Sequence, residues 1–146
     1  MRYFRHTHFW MLVPFIIVIA GFAPSYWFKF FDASFRHHLH GLSATLWFLL
    51  LMVQPYLIQK NKINLHRQLG KVGLILAGAV ISSALLTIPH MVSKAAGGPE
   101  RFILLIVYWD CWVSLAFFFC GGMALQTTNT PTKHGRWMIV TAFLPL

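Results

Sequence analysis

Acidic side chains are scarce in this chain. Among 146 residues only Asp32, Glu100 and Asp110 are acidic, against 12 lysines and arginines. A hydrolase that uses paired carboxylates needs two acids in one site, so this scarcity argues against that class of enzyme. The two cysteines, Cys111 and Cys120, lie nine residues apart in one apolar segment. A helix separates such positions by about 13 Å, so these cysteines cannot form a disulfide with each other.

The sequence also lacks the short motifs of nucleotide and zinc chemistry. It has no P-loop, no dinucleotide fingerprint, no HExxH and no CxxC. Its lysines and arginines are dispersed between apolar segments and do not gather on one face. The net charge of +9 therefore indicates contact with anionic lipid headgroups and argues against nucleic acid as a partner.

Hydrophobic residues are abundant instead, at 58% of the chain with 16% aromatic. This composition excludes both a disordered chain and an ordinary soluble domain. We predict an all-α polytopic transmembrane helix bundle, a single domain over residues 1–146, with the lipid bilayer as its environment. Four complete spans and the start of a fifth are expected at residues 9–28, 39–58, 69–89, 102–125 and 137–146.

The first apolar segment follows a short basic start and also fits a secretory signal peptide. A cleavage site after Ala23 would be followed at once by Pro24, and Trp10 and Pro14 lie in the apolar region. These features favour a retained first helix.

The basic residues of alternate loops predict the orientation. One side holds eight, namely Arg2, Arg5, Lys60, Lys62, Arg67, Lys71, Lys133 and Arg136; the other holds four, namely Lys29, Arg36, Lys94 and Arg101. Because positive residues are retained on the cytoplasmic side, we predict a multi-pass protein of the cytoplasmic membrane with its N-terminus in the cytoplasm.

The second apolar segment carries a polar stripe. His40, Trp47 and Gln54 recur every seven residues, so they share one helix face. We expect this face to look inward at other helices. It is either a packing face with a hydrogen-bonding glutamine or the wall of a cofactor site that begins at His40.

The eight histidines form two layers near the ends of the predicted spans. An outer layer holds His37, His38, His40 and His90, and an inner layer holds His6, His8, His66 and His134. A protein with one haem near each membrane surface needs imidazoles from two facing helices at each iron. The layers are therefore compatible with haem b sites at His40 with His90 and at His66 with His134. The alternative is interfacial histidines that bind nothing, because such residues favour the headgroup region.

Asp110 is the one acid inside an apolar run. An ionisable group at that depth is by default a functional-site hypothesis, although a structural polar partner also explains it. We expect it to face the bundle interior beside His40 or His90. Its carboxylate could accept a hydrogen bond from the second ring nitrogen of a histidine ligand. We therefore expect a haem at the outer site more than at the inner site.

A metal site is the second possibility for the outer histidines. Neighbouring imidazoles bind copper or zinc, but metal-binding pairs on a helix need a spacing of three or four residues. Among His37, His38 and His40 only His37 with His40 meets this spacing.

Two short motifs resemble a known family. The runs at 66–71 (HRQLGK) and 134–138 (HGRWM) resemble bacterial membrane proteins grouped as domain of unknown function 2306, in which HR-x-LGR opens one helix and H-x-RWM opens another. Lys71 replaces the usual arginine. The resemblance covers about 36–138 and implies a helical fold, a bacterial inner membrane and a cytoplasmic-side pairing of His66 with His134. It implies no activity. A fold-level analogy to two-haem cytochrome b carriers rests on the histidine layers alone.

Two functions follow as hypotheses. The first is a haem-binding protein that carries electrons across the membrane to a redox partner. The second is a non-enzymatic accessory or assembly subunit of a larger membrane complex, or a small carrier, with no cofactor.

Overall fold

The computed structural model describes residues 7–144, and for His8 and Lys94 the backbone alone. Within this range the chain is helical and contains no strand, which confirms the predicted all-α fold. Its elements are α1 (Thr7–Trp10), α2 (Leu12–Phe22), a 3-10 helix (Trp27–Asp32), α3 (Phe35–Gln59), α4 (Ile63–Ala95), α5 (Glu100–Gln126) and α6 (Pro131–Phe143).

Three helices, α3, α4 and α5, are long and apolar enough to cross a bilayer. They have 25, 33 and 27 residues. At about 1.5 Å per residue each exceeds the thickness of a hydrocarbon core, which is about 30 Å. They contain the predicted spans at 39–58, 69–89 and 102–125.

The predicted first and fifth spans are not confirmed as membrane crossings. Residues 9–28 do not form one helix, because α2 has 11 residues and ends at Phe22. Pro24 has no amide hydrogen to continue the helical ladder, and a 3-10 helix follows. The predicted start of a fifth span at 137–146 overlaps α6, which begins earlier, at Pro131, and has 13 residues. Residues 1–6, with His6, and 145–146 lie outside the described range.

Helix α3 lies at the centre of the bundle. It contacts α1, α2, α4 and α6, while α5 contacts α4 and α6. The core holds apolar residues from several helices, namely Met11, Trp47, Phe48, Leu51, Phe117 and Ala142. Short connections at residues 60–62 and 96–99 make α3, α4 and α5 an antiparallel series.

This arrangement defines two ends of the bundle. The turn end holds the α3–α4 turn at 60–62 and the α5–α6 linker at 127–130, and the loop end holds the start of α3 and the α4–α5 loop at 96–99. Large apolar side chains remain exposed between them, including Leu104, Leu115 and Phe118 on α5. An apolar surface of this extent is suited to lipid.

Candidate functional site

Two histidines from different helices meet at the turn end. His66 lies in the first turn of α4 and His134 in the first turn of α6. Their ring centres are 6.4 Å apart, and the ring planes are at 87° to each other. The structure therefore places side by side the two residues that the sequence predicted as the inner pair.

The ring of His134 has a fixed orientation. Its Nδ1 lies 2.8 Å from the carbonyl oxygen of Ala124, at the end of α5. A carbonyl oxygen only accepts hydrogen bonds, so Nδ1 carries the proton and donates it. In the neutral ring Nε2 then has a lone pair, which is the state that a metal-binding imidazole needs.

Gln54 of α3 completes the polar group at the turn end. It is buried, and its Nε2 donates to the backbone oxygen of His66 at 3.3 Å. Gln54 Oε1 and His66 Nδ1 are both buried and have no hydrogen-bond partner. Buried polar atoms without hydrogen-bond partners are uncommon. They mark either a place where a ligand binds or a place where the fold tolerates the free-energy cost of an unmade hydrogen bond.

Gln54 was not among the site residues that the sequence predicted. Gln54 belongs to the polar stripe of α3 that the sequence shows. A stripe alone does not distinguish a glutamine that only packs against another helix from one that lies beside a histidine. The contact with His66 depends on how α3 and α4 are aligned.

At the loop end, His40 belongs to a hydrogen-bonded group between α3 and α4. Its Nδ1 is 3.1 Å from Ser83 Oγ, and the Ser43 hydroxyl is 3.3 Å from the same Ser83 oxygen. Ser83 is fully buried. These bonds make His40 a link between two long helices.

His90 contacts a different histidine from the one predicted. Its ring centre is 5.1 Å from that of His37, and His37 Nδ1 is 2.8 Å from Ser34 Oγ. His90 lies seven residues beyond Ser83 on α4, or about 10 Å along the axis. His40 and His90 therefore lie at different depths, and the predicted outer pair is not brought face to face.

The two members of the predicted metal pair, His37 and His40, also have different neighbours. His37 lies beside His90, while His40 lies beside Ser83. In the part of the chain that the structure describes, no three His, Cys, Asp or Glu side chains form a group that could hold a metal ion.

Asp110 lies on α5, partly buried among exposed aromatic neighbours. Its Oδ2 is buried and has no hydrogen-bond partner. Neither His40 nor His90 therefore bonds to this oxygen, and the expected polar partner of Asp110 is not found there.

His38 has a packing role. The Tyr26 hydroxyl lies 3.1 Å from His38 Nδ1, and burial raises the pKa of this phenol above its usual value. The hydroxyl therefore stays protonated, and it forms a hydrogen bond with the His38 ring. The ring of Phe30 lies 4.7 Å from that of His38, so these side chains form an aromatic cluster between the 3-10 helix and α3.

Comparisons with known proteins give no match to a family, to a curated protein or to a solved structure. The resemblance to the domain of unknown function 2306 stays a prediction.

Proposed function

We propose that this chain is a membrane redox protein that binds haem b at the turn end, where His66 and His134 would hold it. The observation that carries the proposal is the approach of these two imidazoles from different helices, 6.4 Å between ring centres. A b-type haem held by two histidines requires such a pair.

The separation of the two rings supports the proposal. Nitrogen–metal bonds of about 2.0–2.1 Å would let two imidazoles that share one metal ion lie with ring centres up to about 6 Å apart. The observed separation is 6.4 Å.

The second nitrogen of His134 supports the proposal as well. Ligand histidines generally donate their other N–H to an acceptor, which fixes the ring. His134 has the Ala124 carbonyl for this purpose. His66 Nδ1 has no such bond; Gln54, whose Oε1 also has no partner and whose Nε2 bonds to the His66 backbone, is the side chain that would supply the acceptor.

A bound haem would supply a reversible one-electron change at its iron. The chain's own part would be to present two neutral imidazoles, to orient one of them through Ala124, and to keep the pair partly buried at one end of the bundle. Loss of either imidazole would remove one of the two residues that hold the haem and change its spectrum.

The test is the visible spectrum of the full-length protein, purified from cells with ample haem. We expect a Soret band and a sharp reduced α-band, both lost on His66→Ala and on His134→Ala. His38→Ala is the matched control, because His38 lies at the loop end in the aromatic cluster. Circular dichroism verifies that each variant keeps its helices. Absence of a Soret band in the unmodified protein would reject the proposal, as would bands that survive both substitutions.

A second candidate function is an accessory subunit of a larger membrane complex, without a cofactor. One observation favours it, namely the unpartnered Oδ2 of Asp110 on a helix whose face exposes Tyr108, Trp109 and Trp112. Asp110 as a whole is only half-buried, so a small rotation of its carboxyl would let that oxygen meet a basic or hydroxyl group of a neighbouring subunit. A colourless protein that copurifies with other membrane subunits, and loses them on Asp110→Asn, is the result expected for this function.

A further inference from the structure

An apolar groove runs between α3 and α4 on the outside of the bundle. It has a volume of about 450 Å³ and only aliphatic lining residues, among them Leu46 and Val53 on α3 and Leu69 and Ala79 on α4. On α4 the lining extends from Leu69 to Ala79, which is about 15 Å along the axis. This is half of a hydrocarbon core of about 30 Å, or the depth of one leaflet.

The groove leads towards the turn end. On α3 its residues recur at helical spacing to Val53, and Tyr56 and Lys60 continue that spacing. On α4 Leu65 precedes Leu69 at the same spacing, and Lys62 is the residue immediately before α4. Residues three or four apart share a helix face, so Tyr56 and Leu65 continue the two walls of the groove towards the turn, where Lys60 follows α3 and Lys62 precedes α4.

The mouth of the groove is polar and positively charged. Lys60 and Lys62 are exposed, and Lys60 Nζ lies 5.7 Å from the centre of the Tyr56 ring. A second cavity, of about 340 Å³, is lined in part by Asn61, Lys62 and Asn64 at the turn.

No acid opposes this charge. Asp32 and Glu100 lie towards the loop end, Asp110 lies within α5, and the sequence has no other acidic residue. Exposed Arg67, Lys71, Lys133 and Arg136 raise the positive potential of the turn end further. The turn end therefore attracts an anion, and the groove beside it accepts a hydrocarbon chain.

We propose that the α3–α4 groove binds one anionic phospholipid, with an acyl chain against the aliphatic residues and the phosphate at Lys60 and Lys62. A lipid satisfies both halves of the site, because its chain has the length of one leaflet and its headgroup lies at the interface. Basic sites between transmembrane helices commonly bind anionic lipid headgroups. Tyr56 lies at the level where aromatic side chains favour the headgroup region. The site does not depend on haem.

The experiment is native mass spectrometry of the full chain in detergent, titrated with phosphatidylglycerol or with phosphatidylcholine of the same acyl chains. We expect phosphatidylglycerol to remain bound in preference to phosphatidylcholine. The double variant Lys60→Gln, Lys62→Gln is expected to weaken phosphatidylglycerol binding roughly 25-fold, since each surface cation contributes about fivefold. The control is Lys29→Gln with Arg36→Gln, which removes two exposed cations from the loop end.

A second pair of variants tests the groove. Val72→Trp fills it, and Leu104→Trp places the same ring on an exposed site of α5 outside it. We expect Val72→Trp alone to lower phosphatidylglycerol retention, and inorganic phosphate at millimolar concentration not to displace the lipid. Equal retention of the two lipids, an equal loss in the loop-end control, displacement by free phosphate, or equal effects of the two tryptophans would each overturn the proposal.

Discussion

Gly41 shows how one residue without a side chain determines the packing at the loop end. A Cβ at this position would lie 2.5 Å from Cε1 of Tyr26 and 2.7 Å from Cζ. Tyr26 is buried and hydrogen-bonded to His38, so its ring cannot move aside without loss of that bond. The aromatic cluster therefore requires glycine at this point of α3.

We expect Gly41→Ala to lower the free energy of unfolding by about 1–3 kcal/mol, the usual cost of an extra group in a packed site. Gly78→Ala in α4 is the control, because nothing lies within 4 Å of a Cβ built there. Alanine favours a helix over glycine by up to about 1 kcal/mol, so this control is expected to be neutral or stabilising. Unfolding in detergent, followed by circular dichroism, measures both. Equal stability of the two variants would show that Tyr26 is free to move.

At the scale of the elements, the α3–α4 pair is held by contacts at both of its ends. Near the loop end Ser83 bonds to His40 and Ser43, and near the turn end Gln54 bonds to the His66 backbone. Between them Gly73 lets α4 approach, because a Cβ there would lie 2.8 Å from a methyl carbon of Leu50. Small residues and side-chain hydrogen bonds are the usual means by which helices associate in a bilayer.

Substitution of Ser83 tests the loop-end contact. Ser83→Ala removes a bond partner from both His40 and Ser43, and we expect a loss of about 1–2 kcal/mol. Its neighbour Ser82 is exposed, so Ser82→Ala is the control and is expected to change stability by no more than about 0.5 kcal/mol. Denaturation in mixed detergent micelles gives both values. A Ser83→Ala protein as stable as the Ser82→Ala protein would show that this bond adds nothing to the helix pair.

For the whole molecule, the histidine contacts lie too far apart to form one site. His66 and His90 are 24 residues apart on α4, which is about 36 Å. That distance exceeds the thickness of a hydrocarbon core. The two histidine pairs therefore lie at opposite ends of α4 and belong to separate sites.

The excess of positive residues predicts that the turn end faces the cytoplasm. In a background with Cys111 and Cys120 replaced by alanine, we expect a cysteine at Ser93 to react with an impermeant thiol reagent on intact cells. A cysteine at Lys62 is expected to react only after the cells are opened. Both positions are exposed, at opposite ends of α4. Labelling of Lys62→Cys alone on intact cells would reverse the orientation, and equal labelling of both would mean that α4 does not cross.

The sequence by itself determined the helical character of this protein and the three long apolar helices. A long uncharged run in lipid must satisfy every backbone hydrogen bond within the protein. The α-helix does this with hydrogen bonds inside the run itself. The position of each long helix followed from that constraint. The first segment is not confirmed as one span, because Pro24 and the following 3-10 helix interrupt the helix although the hydropathy of the segment is high.

Only the tertiary structure decided which polar side chains meet. The sequence placed His66 near His134 at one end, but it equally allowed His40 to face His90, and the structure places His40 against Ser83 and His37 against His90. Residue spacing fixes which side chains share a face of one helix. It does not fix the rotation and axial alignment of one helix against the next, and a shift of half a turn exchanges one partner for another.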